Sequence, residues 1–117
     1  MFSFRIFALI IFLYGCNDQL NIRLENVTQL SFKGDNGEAY FNADNSKVIF
    51  QSKRNGNECD KLYIIDIDGN NLKQITYDDT FDSFPVFSND GKKIVFSSNR
   101  NNGGTRSTNV FIADWVE

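Results

Sequence analysis

The chain contains no histidine, a single proline and two cysteines. Without histidine, Ser-His and Cys-His nucleophilic catalysis is excluded, and the commonest transition-metal ligand is missing. No stripe of lysine and arginine stands out, and the net charge is −3. That balance argues against a nucleic-acid partner, whose phosphates need a basic face. No segment beyond residue 16 has the 3.6-residue periodicity of an amphipathic helix. The aromatic content of 15%, mostly phenylalanine, is too high for a disordered chain. A length of 117 residues allows one small domain.

The first thing present is an address. Arg5 precedes Ile6-Phe7-Ala8-Leu9-Ile10-Ile11-Phe12-Leu13-Tyr14, then Gly15-Cys16 and polar Asn17-Asp18-Gln19. A charged start, a short apolar run and a small residue at the cut predict a secretory signal peptide, a signal helix over residues 1–15. As a helix, residues 1–14 would span about 21 Å at ~1.5 Å per residue, short of the ~30 Å hydrocarbon core. Leu13-Tyr14-Gly15-Cys16 resembles a bacterial lipobox, departing from it in the bulk of Tyr14. The resemblance implies lipid attachment at Cys16, a tether over residues 16–26, and an exported, membrane-anchored protein facing the periplasm or cell surface. Plain secretion and an uncleaved anchor are the alternatives. With Cys16 lipidated, Cys59 has no intramolecular partner. Its neighbours Glu58 and Asp60 oppose thiolate formation, so no catalytic use of Cys59 is expected.

The second thing present is a repeat. Phe41-Asn42-Ala43-Asp44-Asn45-Ser46-Lys47-Val48-Ile49-Phe50-Gln51-Ser52-Lys53-Arg54 returns 46 residues later as Phe87-Ser88-Asn89-Asp90-Gly91-Lys92-Lys93-Ile94-Val95-Phe96-Ser97-Ser98-Asn99-Arg100. Thr28-Gln29-Leu30-Ser31-Phe32 matches Lys73-Gln74-Ile75-Thr76-Tyr77 at an offset of 45. A period of ~40–50 residues marks architectures built by stacking one supersecondary unit. Strands are predicted over residues 28–32, 38–42, 47–52, 61–66, 72–76, 84–88, 93–98 and 109–114. Asn, Asp and Gly clusters between them supply the positive φ of hairpin turns. Val48-Ile49-Phe50, Leu62-Tyr63-Ile64-Ile65, Ile94-Val95-Phe96 and Val110-Phe111-Ile112 do not alternate. Such unbroken runs predict sheets covered on both faces.

These residues resemble the repeat of TolB-type, WD-like β-propellers. The fit is carried by Pro85, Phe87, Ser88, Asp90, Gly91, Lys92, Ile94, Phe96, Ser98 and Arg100. Leu62 to Asn70, with the Asp66-Ile67-Asp68-Gly69 turn, and Leu72 to Thr76 continue it in the first copy. Asn89 departs from the usual proline. The fold class implied is all-β: antiparallel four-stranded blades of a partial propeller, about two blades. They occupy residues 27–117, with repeats about 38–77 and 84–117. Eight predicted strands fall short of the ~4–8 blades of a closed ring. Three resolutions stand open: a fragment of a longer propeller, a head-to-tail homo-oligomer that closes a ring, or a two-sheet sandwich.

Candidate sites are sparse. Arg54 and Arg100 follow the second strand of each unit and are the candidate loop-face binding residues. Each could take a carboxylate, or pair with a turn aspartate in its own blade. Asp66 to Tyr77 lacks the glycine and bidentate glutamate of a calcium loop and reads as a hairpin turn. Asp44 and Asp90 occupy equivalent turns and are expected to cap them, lying apart. Trp115 is expected to pack. No metal, cofactor or catalytic residue is expected. The resemblance implies a non-catalytic, protein-binding or scaffold module with a protein or cell-wall-associated partner. The rivals are a fragment of a propeller-gated prolyl-oligopeptidase-type hydrolase and a carbohydrate-binding module.

Overall fold

The computed structural model describes residues 22–117. The predicted signal helix, Cys16 and the first part of the tether lie outside the described residues. Among the described residues, seven strands form two antiparallel meanders: β1 Asp35–Phe41, β2 Lys47–Lys53, β3 Lys61–Asp66 and β4 Lys73–Gln74 in one sheet, β5 Asp82–Phe87, β6 Lys93–Ser98 and β7 Asn109–Asp114 in the other. The all-β expectation therefore holds, with three strands in the second sheet.

The turns explain the meander. Asn45 (φ 61°) and Gly91 (φ 72°) occupy equivalent hairpin positions, and asparagine there tolerates the left-handed conformation that glycine adopts freely. Directly beyond each turn stands a cross-strand ion pair, Lys47 with Asp66 at 2.6 Å and Lys93 with Asp114 at 2.5 Å. The predicted starts at residues 38 and 84 fall on β-bulges rather than on strand ends. Glu38 (φ 49°) and Phe84 (φ 52°) interrupt the β1–β2 and β5–β6 ladders, which resume on both sides of them.

Packing follows side-chain parity along each strand. Ile49, Leu62 and Ile64 meet Ile94 and Phe96 between the sheets, with Ile75, Phe87, Phe111 and Trp115 at the margin. The opposite face of the first sheet carries Phe50, Tyr63 and Ile65, packed with Val48 and Leu30. Double-sided burial is thus real for the first sheet. It is not for the second, where Val95, Val110 and Ile112 remain 37%, 78% and 66% exposed. An unbroken apolar run states that two faces can be covered; it does not supply the cover.

Residues 28–32, predicted as a strand, are not in a ladder. Leu30 lies against the Phe50 face instead. The strand that would pair with this segment is a counterpart of β3, and β3 itself already has β2 and β4.

Gly34 closes the approach to β1. Its φ is +81°, and an added Cβ would lie 2.8 Å from Ser52 Oγ, 2.9 Å from Arg54 Cβ and 2.9 Å from the Lys53 carbonyl. Gly34→Ala is expected to cost more than the ~1–2 kcal/mol of left-handed strain alone. Gly37→Ala, with open space around it, is the control. A thermal melt should separate the two by more than about 4 °C.

Candidate functional site: two arginine–aromatic stacks at the loop end

The strands place the connections at two ends. Hairpins β1–β2, β3–β4 and β5–β6 lie at one. At the other are the longer β2–β3 and β6–β7 loops and the crossover from β4 to β5. Arg54 and Arg100 stand at this second end, where β2 and β6 run out.

Each arginine caps a pair of stacked rings. Phe50 and Tyr63 have centroids 6.0 Å apart at 28°; Phe96 and Phe111 have them 5.9 Å apart at 27°. The Arg54 guanidinium sits 5.6 and 4.8 Å from its two rings, and that of Arg100 sits 5.1 and 5.7 Å from its own. A delocalised, weakly hydrated cation suits the negative faces of such rings. Each Nε donates to a buried serine at the end of the preceding strand, Ser52 at 2.8 Å and Ser98 at 2.9 Å.

The copies differ in the acid. Arg100 donates to Asp82 at 2.9 Å, and Asp82 is fully buried. A second carboxylate, Asp78, lies 3.5 Å from its other terminal nitrogen. At the position 46 residues earlier, Arg54 donates to the Asn36 side-chain oxygen at 2.5 Å. Arg54 makes no ion pair among the described residues. The expected pairing of arginine with an aspartate of its own blade is therefore realised at Arg100, by Asp82 of β5 and by Asp78 of the crossover between β4 and β5 rather than by a hairpin-turn aspartate. At Arg54 an amide replaces the acid. An amide accepts a hydrogen bond but cancels no charge.

Beside them, Gly56, Asn57, Glu58, Cys59, Lys61 and Asp79 line a cleft of about 480 Å³. Cys59 is a half-buried free thiol there. The Lys61 ammonium, buried, donates to the Thr80 carbonyl and so ties β3 to the crossover.

At the hairpin end, Asp44 and Asp90 cap their turns as expected. Asp44 accepts from Ser46 N (3.0 Å) and Oγ (2.5 Å), Asp90 from Lys92 N (3.0 Å) and Ser88 Oγ (2.7 Å). They are not set far apart, since both line one cleft of about 380 Å³ with Phe87 and Trp115. Trp115 packs edge-on to Phe87 at 4.9 Å. Asp66 is taken up by Lys47 and Asn71 in its hairpin. Among the described residues no cluster of acids and cysteine is arranged to hold a metal.

These turn and pair aspartates set a pH dependence. The Ser46 hydroxyl, the Lys47 ammonium and the Ser88 hydroxyl hold Asp44, Asp66 and Asp90 respectively below the ordinary aspartate value. Their stabilisation is complete above the unfolded value of about 3.9 and is lost as pH falls through the lower folded values. Asp66 and Asp114 likewise raise Lys47 and Lys93, whose contribution is lost only as pH rises through values above about 10.4. The melting temperature is expected to be level between about pH 5 and 9 and to fall by pH ~3. Asp66→Asn with Asp90→Asn should flatten the acid limb of that profile.

No protein-family model matches the chain, and no curated protein matches it. Among solved structures it is similar to a TolB from Agrobacterium tumefaciens, with 26% identity and a TM-score of 0.63 over 74% of this chain and 32% of that one. It is also similar to TolB from Acinetobacter baumannii, with 30% identity and a TM-score of 0.56 over 72% of this chain and 20% of that one. The chain thus spans about a third and a fifth of the lengths of these two relatives. What it shares with them is the TolB-like β-propeller fold, built among the described residues as one four-stranded and one three-stranded antiparallel sheet.

Proposed function

We propose that this chain is a bacterial cell-envelope lipoprotein, anchored through Cys16, whose TolB-like blades bind a protein partner and catalyse no reaction. The observation that carries the reading is the likeness to two TolB structures across about three quarters of the chain. The lipobox-like Leu13-Tyr14-Gly15-Cys16 supports the address. The loop end supports the mode of binding: among the described residues Arg54 has its hydrogen-bond acceptors but no carboxylate, and loops on a rigid sheet are where binding residues concentrate. An acidic side chain of a partner is the complement of that guanidinium.

Two measurements test it. Metabolic labelling with a fatty-acid analogue should mark the wild type and not Cys16→Ser; equal labelling of both would refute the anchor. A photo-reactive amino acid in place of Asn57 at the loop end, in living cells, should give a protein adduct that Arg54→Ala weakens several-fold. The same group in place of Asn45 at the hairpin end should give none. Adducts from Asn45 alone would overturn the loop-end assignment.

A further inference from the structure

The two outer sides of this sheet pair repeat the two halves of an interface the chain already contains: the side on the second sheet is open, and the side on the first is open at Phe41, with Phe50 and Tyr63 already buried against Leu30. Between the sheets, Ile49, Leu62 and Ile64 of one face meet Ile94, Phe96 and Phe111 of the other. Ladder register identifies the repeat counterparts. Ile49 pairs with Ile64 as Val95 pairs with Ile112, and Leu62 faces Gln51 as Val110 faces Ser97. The open face of the second sheet, with Val95, Val110 and Ile112, therefore copies the first half of the interface. On the far side, Val48, Phe50 and Tyr63 stand where Ile94, Phe96 and Phe111 stand in the second sheet. The ring stacks agree within 0.1 Å and 1°, from 6.0 and 5.9 Å and from 28° and 27°. Phe41, the counterpart of the half-buried Phe87, is 61% exposed on that side.

A missing strand points the same way. β7 has no strand on its outer edge among the described residues, whereas its counterpart β3 is paired by β4. Residues 28–32 match residues 73–77, the β4 region, and run unladdered. Beside β3, Ile75 N donates to the Leu62 carbonyl and Thr76 Oγ1 accepts from Leu62 N. Leu30 and Ser31 carry the same apolar and hydroxyl pair, and Val110 is the counterpart of Leu62. Edge strands with such open backbone recruit a further strand.

We propose that a second copy of this chain docks head-to-tail, the Val95–Val110–Ile112 face of one copy covering the Phe41–Phe50–Tyr63 side of the next, with residues 28–32 of the incoming copy extending the sheet at β7. The contact is heterologous, so it closes a ring or grows a filament. With ~4–8 blades in closed rings, two sheets per chain correspond to roughly two to four copies. This deepens the propeller reading and is independent of the loop-end partner and of the lipid.

The test uses the full chain in detergent, with light scattering for the protein mass. Wild type is expected at a multiple of the subunit mass. Phe41→Glu and Ile112→Glu alter exposed side chains, one on each proposed face, and each should reduce the mass to one subunit while circular dichroism stays unchanged. Mixed in equal amounts, they should form a one-to-one dimer through the two intact faces, which cannot extend. A single-subunit mass for the wild type overturns the proposal. So does loss of assembly with one variant only, the signature of a symmetric contact, or a mixture that stays at one subunit. Adducts from Asn57 would persist in the first case, which separates failure here from failure of the loop-end reading.

Discussion

Asp82→Ala is expected to lower stability by about 3 kcal/mol and the melting temperature by more than about 10 °C. Asp82 has no solvent exposure, and its carboxylate receives Arg100 at 2.9 Å and the Thr80 hydroxyl at 3.3 Å. Breaking a buried pair from one side costs ~3–5 kcal/mol because the remaining charge is left without its partner. The lower end applies, since the Arg100 side chain is 24% exposed and keeps Asp78. The backbone adds to the effect locally: Asp82 N donates to the Asp60 carbonyl across the two sheets at 3.0 Å, so disorder at Asp82 reaches the first sheet. Asp82→Asn reproduces the arrangement at Arg54 and Asn36, so it should cost well under half as much. The reciprocal change, Asn36→Asp, supplies Arg54 with a carboxylate in an exposed setting and should add about 0.5 kcal/mol. Urea titrations of the three variants check the order. Equal loss in Asp82→Ala and Asp82→Asn would mean that shape, not charge balance, holds the stack.

The contrast between these two arginines shows how far the sequence could be read. The 46-residue offset was visible, and with it the equivalence of Arg54 and Arg100 and of their strands. β3, β6 and β7 lie where turn residues and apolar runs place them. Asn36 and Asp82 also stand at that offset, but both fall before the bulges at Glu38 and Phe84. A bulge breaks the two-residue parity on which strand reading depends, so the ladder beyond it reads as loop in the sequence. The acid beside Arg100 therefore stands in a segment that the sequence presents as a connection. The 28–32 segment failed for a different reason. Its sequence is that of an outer strand, but a ladder requires a partner edge, and pairing is a property of two segments. Burial of the second sheet failed likewise: Val95 and Ile49 are both β-branched residues in apolar triplets, and only the tertiary neighbour distinguishes them.

That pair provides the other large effect. Ile49→Ala is expected to cost about 2–5 kcal/mol, because Ile49 is fully buried among Leu62, Ile64, Ile94 and Phe96 and a packed core relaxes only partly into the space left behind. Val95→Ala removes apolar atoms from the equivalent position, yet Val95 is 37% exposed with no sheet above it among the described residues. Losing two methylene equivalents at ~0.8 kcal/mol each, only partly buried, should cost about 1 kcal/mol or less. The ratio holds for an isolated chain. If copies stack as proposed, Val95 acquires the cover that Ile49 has, and assembly stabilises the folded state by mass action. The melting temperature of the wild type should then rise with protein concentration, and Val95→Ala should lose that rise while Ile49→Ala lowers the melt at every concentration. A concentration-independent melt, with Val95→Ala near the wild type throughout, would show that the second face stays open in solution.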